Sequence, residues 1–286
     1  MTGLIDTHAH LQFPEFDGDR QEVLERAWQA GLEAIVVVGT SLADSQLAQA
    51  LAHREPGLYA TAGVHPHEAR GFGKGGVGGP RPQAQHPDIR RVREEGTLQA
   101  LRDLASSPKV VALGEIGLDF YRTLSPRQDQ FQAFQEQLAL ARELRLPVVV
   151  HARSADEETF AILAAWAAEA EAAYQGRPLG VMHCFAGDLE LAQRYHELGF
   201  LISIPCTVTY RNNERLDRIA AALPLESLVV ETDSPYLPPQ SRRGRRNEPA
   251  YVSEAVTQLA QLRGLDEATV AARTAENARR LFRLEL

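Results

Sequence analysis

Cysteine and lysine are the two residue types this chain nearly does without. Its 286 residues include only Cys184, Cys206, Lys74 and Lys109 of these kinds. Two thiols cannot build a disulfide framework, and their separation matches no cysteine-based metal site. Reduced thiols in a cytosolic enzyme are the expectation. With lysine scarce, arginine carries almost all the positive charge, and acids outnumber it: the formal net charge is −8. The surface as a whole therefore does not attract nucleic acid. An anionic substrate has to be held by local positive charge or by metal. Long apolar runs are missing too. The alanine-rich stretch 161–173 contains Glu169 and Glu171 and is too short to span a bilayer. The chain does not open on a basic segment followed by an apolar run, so no secretory signal is expected and the protein reads as soluble and cytoplasmic.

What is present is alternation. Short runs rich in valine and isoleucine at 4–7, 34–38, 59–64, 110–115, 147–151, 179–183, 200–204 and 228–231 read as buried parallel strands. Helical periods separate them at 19–30, 41–53, 97–105, 126–144, 156–174, 189–198 and 214–222. Ser125-Pro126-Arg127-Gln128 and Ser154-Ala155-Asp156-Glu157 have the residue order of a capped helix start, and Gly31 and Gly199 stand where helices stop. Eight such units predict a closed (β/α)8 TIM barrel over 1–286, an α/β fold, with an open doubly wound sheet as the alternative. The barrel is preferred because polar residues end most of the strands, and a closed ring gathers those ends on one face. Helices after Pro249 are expected to complete the outer ring and cover the barrel's side. The segment 70–96, rich in glycine, proline, arginine and glutamine, reads as a flexible insertion after the third strand.

The strand ends carry the chemistry. Asp6-Thr7-His8-Ala9-His10 ends the first; in an extended chain His8 and His10 leave on one side. His65-Pro66-His67 follows the third strand, and Glu115 ends the fourth between Gly114 and Gly117, which leave room for close approach. His151 with Arg153, His183, and Glu231-Thr232-Asp233 end the fifth, sixth and eighth. Imidazoles with carboxylates suit zinc, manganese or another first-row divalent ion, and an all-magnesium site with this many imidazoles is unusual. There are more ligands than one tetrahedral ion needs. That excess predicts two divalent metal ions (zinc, manganese or magnesium) bridged by Glu115. His53, His86 and His196 read as ordinary solvated residues.

The ordered set Asp6-Thr7-His8-Ala9-His10-Leu11, Gly63-Val64-His65-Pro66-His67, Gly114-Glu115-Ile116-Gly117-Leu118-Asp119, His151-Ala152-Arg153, His183-Cys184-Phe185-Ala186-Gly187, Glu231-Thr232-Asp233-Ser234-Pro235-Tyr236 and Arg246-Asn247-Glu248-Pro249 resembles the TatD-type metal-dependent deoxyribonucleases over essentially the whole chain. The resemblance implies an amidohydrolase-like barrel and a divalent-metal hydrolase. By it, His8, His10, Glu115 and Asp233 would hold one ion, and Glu115, His151 and His183 the other. His65, His67 and Arg153 fall where family members position substrate. Tyr121 and Asn247 are further expected substrate contacts. Two features depart from the family pattern: the length of 70–96, and Cys206 where glycine is commoner.

The expected activity is hydrolysis of DNA phosphodiester bonds, as a 3′–5′ exonuclease on single-stranded ends. Asp233 would accept the proton of the attacking water, and Arg153 and His65 would offset phosphate charge. Arg242-Arg243-Gly244-Arg245-Arg246 would track the DNA backbone or form a solvated loop. Tyr121, Phe185, Tyr210 and Tyr236 would stack on unpaired bases, with at least half of them packed on the rim instead. Two other readings compete. The same metals would serve ester or amide hydrolysis, such as D-aminoacyl-tRNA deacylation, or a degenerate barrel would act as a binding module.

Overall fold

The computed structural model describes residues 3–72 and 96–285. Residues 73–95, most of the expected insertion, lie outside the described residues, as do His86 and Lys74. Eight strands form one parallel sheet in chain order: β1 (Leu4–Ala9), β2 (Leu32–Val37), β3 (Leu58–Ala62), β4 (Val110–Asp119), β5 (Val148–Arg153), β6 (Gly180–Met182), β7 (Phe200–Pro205) and β8 (Leu228–Glu231). Between and after them run α1 (Arg20–Gln29), α2 (Leu42–Arg54), α3 (Thr97–Ala105), α4 (Arg127–Leu144), α5 (Asp156–Tyr174), α6 (Leu189–Glu197), α7 (Glu214–Ala222), α8 (Val252–Arg263) and α9 (Glu267–Phe282).

β8 meets β1 across a seam made largely of side chains and of the backbone beyond β8. Thr7 Oγ1 donates to Val230 O (2.9 Å), and Thr232 donates to the Asp6 carboxylate from N (2.9 Å) and from Oγ1 (2.6 Å). Asp233 N donates to His8 O (2.9 Å) and His10 N to Ser234 O (2.8 Å). This seam makes the sheet a barrel rather than an open doubly wound sheet.

Each strand is apolar on both faces, as a buried parallel strand must be. Leu4, Ile35, Leu58, Val110, Val148 and Val230 pack with helix residues such as Leu24, Leu101 and Phe134. Ile5, Val36, Tyr59, Val111, Val149, Val181, Leu201 and Val229 form a second cluster, which takes in Ala275, Ala278, Leu281 and Phe282 of α9 and no other helix. This second cluster is the barrel's interior. α9 therefore does not cover the side, as expected, but plugs the end where the strands begin. Asn277 Nδ2 fixes it there, donating to Leu225 O (2.8 Å) ahead of β8 and to Leu228 O (2.7 Å) at its first residue.

With one end plugged, the interior opens at the strands' C-terminal ends. There the inward positions change character: two residues after Val149 comes His151, two after Val181 comes His183, and Val229 leads to Glu231. Local differences from the sequence reading lie nearby. β4 extends to Asp119, four residues past its expected end. Ser125 does not cap α4; its hydroxyl donates to His67 O (2.9 Å) and accepts from Arg70 N (3.1 Å), tying down the loop after β3. Among the described residues, no helix is long and apolar enough to cross a membrane.

Candidate metal centre

The pairing of β1 with β2 slips register between Asp6 and Ala9. Beyond the slip His8 and His10 sit together, their Nε2 atoms 3.2 Å apart. His10 Nδ1 lies 2.9 Å from Val38 O; a carbonyl only accepts, so Nδ1 carries the proton and Nε2 presents its electron pair. Glu115 stands opposite, fully buried. Its Oε2 is 3.5 Å from His8 Nε2, and its Oε1 is 2.9 Å from His151 Nδ1, 3.4 Å from His65 Nε2 and 3.7 Å from His183 Nε2. This crowding depends on glycine. A Cβ on Gly63 would lie 2.5 Å from the Gly114 backbone, and one on Gly117, at φ +139°, 1.9 Å from His151 O. Asp233 adopts the left-handed conformation (φ 56°) that aspartate tolerates better than most residues. Its Oδ1 is 3.5 Å from His10 Nε2, 3.9 Å from His8 Nε2 and 4.0 Å from His183 Nε2.

The charges are poised for a cation. Burial pushes the Glu115 carboxyl up, but the imidazoles of His65, His183 and His151 outweigh it and hold the group well below its usual range. Asp233 is likewise held low, burial being outweighed by His10, His183 and His8. Burial opposes charge on His183, yet Glu231 and Glu115 push it up to about 10. His65 is driven down to about 4 by burial. Two ionised carboxylates and the outward electron pair of His10 thus converge at the barrel's mouth, while His8 Nδ1 is buried with no partner. That donor set of imidazole nitrogen and carboxylate oxygen fits a first-row divalent ion. His8, His10 and Asp233 form one possible ligand group; His8, Glu115 and His183 another; His65, Glu115 and His151 a third; His183, Cys184 and Asp233 a fourth. The six expected ligands come together, but the geometry does not divide them into the two implied sets, because His8 belongs with both.

An outer layer, missed in the sequence, orients these groups. Asp119 is completely buried; its Oδ2 accepts from His67 Nε2 (2.8 Å) and His151 Nε2 (3.2 Å), and its Oδ1 from the backbone of Tyr121 (3.0 Å) and Arg122 (2.8 Å). Glu231 Oε1 lies 3.0 Å from His183 Nδ1 and accepts from Cys184 N (2.7 Å). Asp119 was visible as a carboxylate an even number of residues from Glu115 on one strand, hence on the same face.

The expected substrate contacts divide. His65 Nδ1 accepts from His67 N (3.1 Å), so its Nε2 is the donor, aimed at Glu115. His67 is turned to Asp119. Arg153 is exposed and lies over the Tyr121 ring, 4.1 Å from its centroid. Tyr121 is 64% exposed and Tyr236 44%, whereas Phe185 is buried and Tyr210 is half-buried with its hydroxyl donating to Pro238 O (2.8 Å). Asn247 does not face a substrate. It is fully buried, and its Nδ2 donates to Thr232 O (2.8 Å) and Tyr236 O (2.8 Å), which gives it the task of shaping the loop after β8. In the basic run, Arg242, Arg243 and Arg245 are exposed, but Arg246 is engaged by Asp19 (2.6 Å) and Glu248 (3.1 Å). Cys206 is buried with Sγ 3.5 Å from Tyr251 O, beside α8.

Known proteins are similar to this chain over nearly its whole length. A metal-dependent hydrolase of Bacillus subtilis (strain 168), YabD, described as uncharacterized, is 36% identical over 281 residues, covering 98% of this chain and 99% of that protein. A Rahnella sp. (strain Y9602) protein named 3′-5′ ssDNA/RNA exonuclease TatD is 39% identical over 287 residues, covering 98% of each. The crystal structure of YJJV, a TatD homologue from Escherichia coli K12, superposes with a TM-score of 0.81 at 32% identity, covering 99% of this chain and 98% of that one. The family described as TatD related DNase matches residues 5–283, and this chain belongs to it.

Proposed function

We propose that the protein is a metal-dependent nuclease that removes nucleotides from the 3′ ends of single-stranded DNA. The observation that carries this reading is the convergence of His8, His10, Glu115, His151, His183 and Asp233, from five strands, around one buried carboxylate. His8, His10, Glu115 and Asp233 would hold one divalent ion, and Glu115, His151 and His183 a second. Bound there, such ions supply positive charge to a phosphate and make water a competent nucleophile at neutral pH. The remaining roles fall to the protein. All three imidazole contacts of Asp233 use Oδ1, which leaves Oδ2 to accept a proton. The His65 Nε2–H is a fixed donor, and Arg153 offers its in-plane N–H groups to a phosphate oxygen while its face rests on Tyr121. The exposed rings of Tyr121 and Tyr236 suit unpaired bases rather than a duplex. Relatives named as ssDNA/RNA exonucleases support the substrate class.

The test is product analysis on 5′-labelled single-stranded DNA with zinc, manganese or magnesium supplied. Stepwise shortening is the expected result. Asp233→Asn is expected to slow it by about 10²–10⁴-fold, the usual contribution of proton transfer, with the circular dichroism spectrum unchanged. Full activity in Asp233→Asn, or intact DNA beside deacylated D-aminoacyl-tRNA, overturns the reading.

A further inference from the structure

The loops that follow β7 and β8 are stitched together at the barrel's rim. Tyr210 Oη donates to Pro238 O (2.8 Å), Gln240 N donates to Thr209 Oγ1 (2.8 Å), and the Arg243 guanidinium lies over the Tyr210 ring, 4.7 Å from its centroid. The loop 233–247 leaves the metal centre at Asp233 and is brought back beside it by Asn247, whose N donates to Pro235 O (3.0 Å) and whose Nδ2 donates to Thr232 O (2.8 Å). Near the middle of this excursion Arg243 and Arg245 are exposed, and Arg211, next to Tyr210, is exposed as well. Among the described residues no carboxylate stands within ion-pair distance of these three. Their neighbours differ: Arg242 reaches Glu254 (3.8 Å) and Arg246 is neutralised by Asp19 and Glu248. In a chain of net charge −8, three uncompensated guanidiniums on two joined loops make a local positive shelf.

We infer that Arg211, Arg243 and Arg245 form a backbone track, which binds phosphates of single-stranded DNA upstream of the nucleotide being removed. This deepens the nuclease reading and rests on it. Arg153, which ends β5, lies over Tyr121 just after β4, and Arg243 over Tyr210 stands after β8 and β7, so the mouth carries arginine-on-tyrosine pairs on two separate arcs of the ring. A guanidinium lying flat on a ring keeps its in-plane N–H groups free, and those groups match phosphate oxygens. Arg246 belongs to the run in sequence but not to the track, because its donors are already used.

The experiment measures binding of a labelled oligothymidine by fluorescence anisotropy in EDTA, so that affinity is read without cleavage. The triple variant Arg211→Gln, Arg243→Gln, Arg245→Gln is expected to bind about ten-fold more weakly at low salt. Its plot of log affinity against log salt is expected to be shallower by about 2, since each phosphate contact on a single strand contributes about 0.7. Lysine at the same three positions restores the slope. Arg54→Gln, Arg145→Gln and Arg283→Gln, together at the opposite end of the barrel, leave it unchanged. With metal supplied, a dinucleotide too short to reach the shelf is cleaved by the glutamine variant at the wild-type kcat and KM. An unchanged slope, an equal loss in the opposite-end variant, or a dinucleotide KM that rises in step overturns the track. Wild-type protein that binds the oligonucleotide but cleaves neither substrate overturns the nuclease reading instead, and leaves the track standing.

Discussion

Asp119 shows how one carboxylate decides what an imidazole can do. His151 lies between two acids, with Nδ1 2.9 Å from Glu115 Oε1 and Nε2 3.2 Å from Asp119 Oδ2. With Asp119 accepting the hydrogen bond of a neutral His151 Nε2–H, Nδ1 is left with an electron pair facing the cluster around Glu115. Asp119 is suited to this: burial pushes its carboxyl up, but the bonds from His151, the Arg122 backbone and His67 outweigh it and keep it ionised. Asp119→Asn keeps the shape, removes the charge and offers an amide that can present N–H to His151. Metal affinity, followed by calorimetry, is expected to fall about ten- to a hundred-fold with the fold intact. Equal affinity in variant and wild type would mean that Glu115 alone orients His151. The candidate ligands themselves are legible in the sequence, because histidines at successive strand ends carry their own signal. Asp119 carries no role in the sequence reading, because the fourth strand is expected to end at Glu115, four residues short of it.

At the level of elements, the same glycines explain both what the sequence made plain and what it hid. β8 runs over Leu228–Glu231, the range its valines predict, whereas β4 runs past its expected end at Glu115 to Asp119, through the stretch where Gly114 and Gly117 leave room for close approach. They are the means by which β3, β4 and β5 approach: Gly117 faces His151 O so closely that no side chain fits, and its φ of +139° is itself costly for any other residue. Gly117→Ala is therefore expected to lower the melting temperature sharply and to abolish metal binding together with it. Gly18→Ala is the control, with nothing within 4 Å of the added Cβ, and it is expected to leave the melting temperature unchanged or slightly raised. A Gly117→Ala protein as stable as the control would show that β4 and β5 can separate without harm. The position of α9 was hidden for a different reason. An apolar stripe of Ala271, Ala275, Ala278 and Phe282 says that the helix buries one face, but not whether the buried face meets the barrel's side or its open end.

Across the whole molecule, the candidate metal centre would double as a fastening. Its candidate ligands come from β1, β4 and β5 and from the ends that follow β1, β6 and β8, and the β8–β1 seam that closes the ring is the one carrying His8, His10 and Asp233. Glu115, Asp119 and Asp233 are all held ionised in the folded state, so without a cation the mouth concentrates negative charge that the surrounding imidazoles offset. An ion that binds the folded chain and not the unfolded one stabilises it by mass action, by about 2.7 kcal/mol at a hundred times its dissociation constant. For a protein of this size that corresponds to a rise in melting temperature of roughly 5 °C. Scanning calorimetry with saturating manganese or zinc, and again after chelation, is expected to show that difference. Glu115→Gln is expected to remove most of it, because the neutral amide cannot bridge; Gly18→Ala, remote from the mouth, is expected to keep it. A melting temperature indifferent to both metal and chelator in the wild-type protein would mean that the converging ligands do not hold an ion. The gathering of five strand ends around Glu115 would then be packing without chemistry.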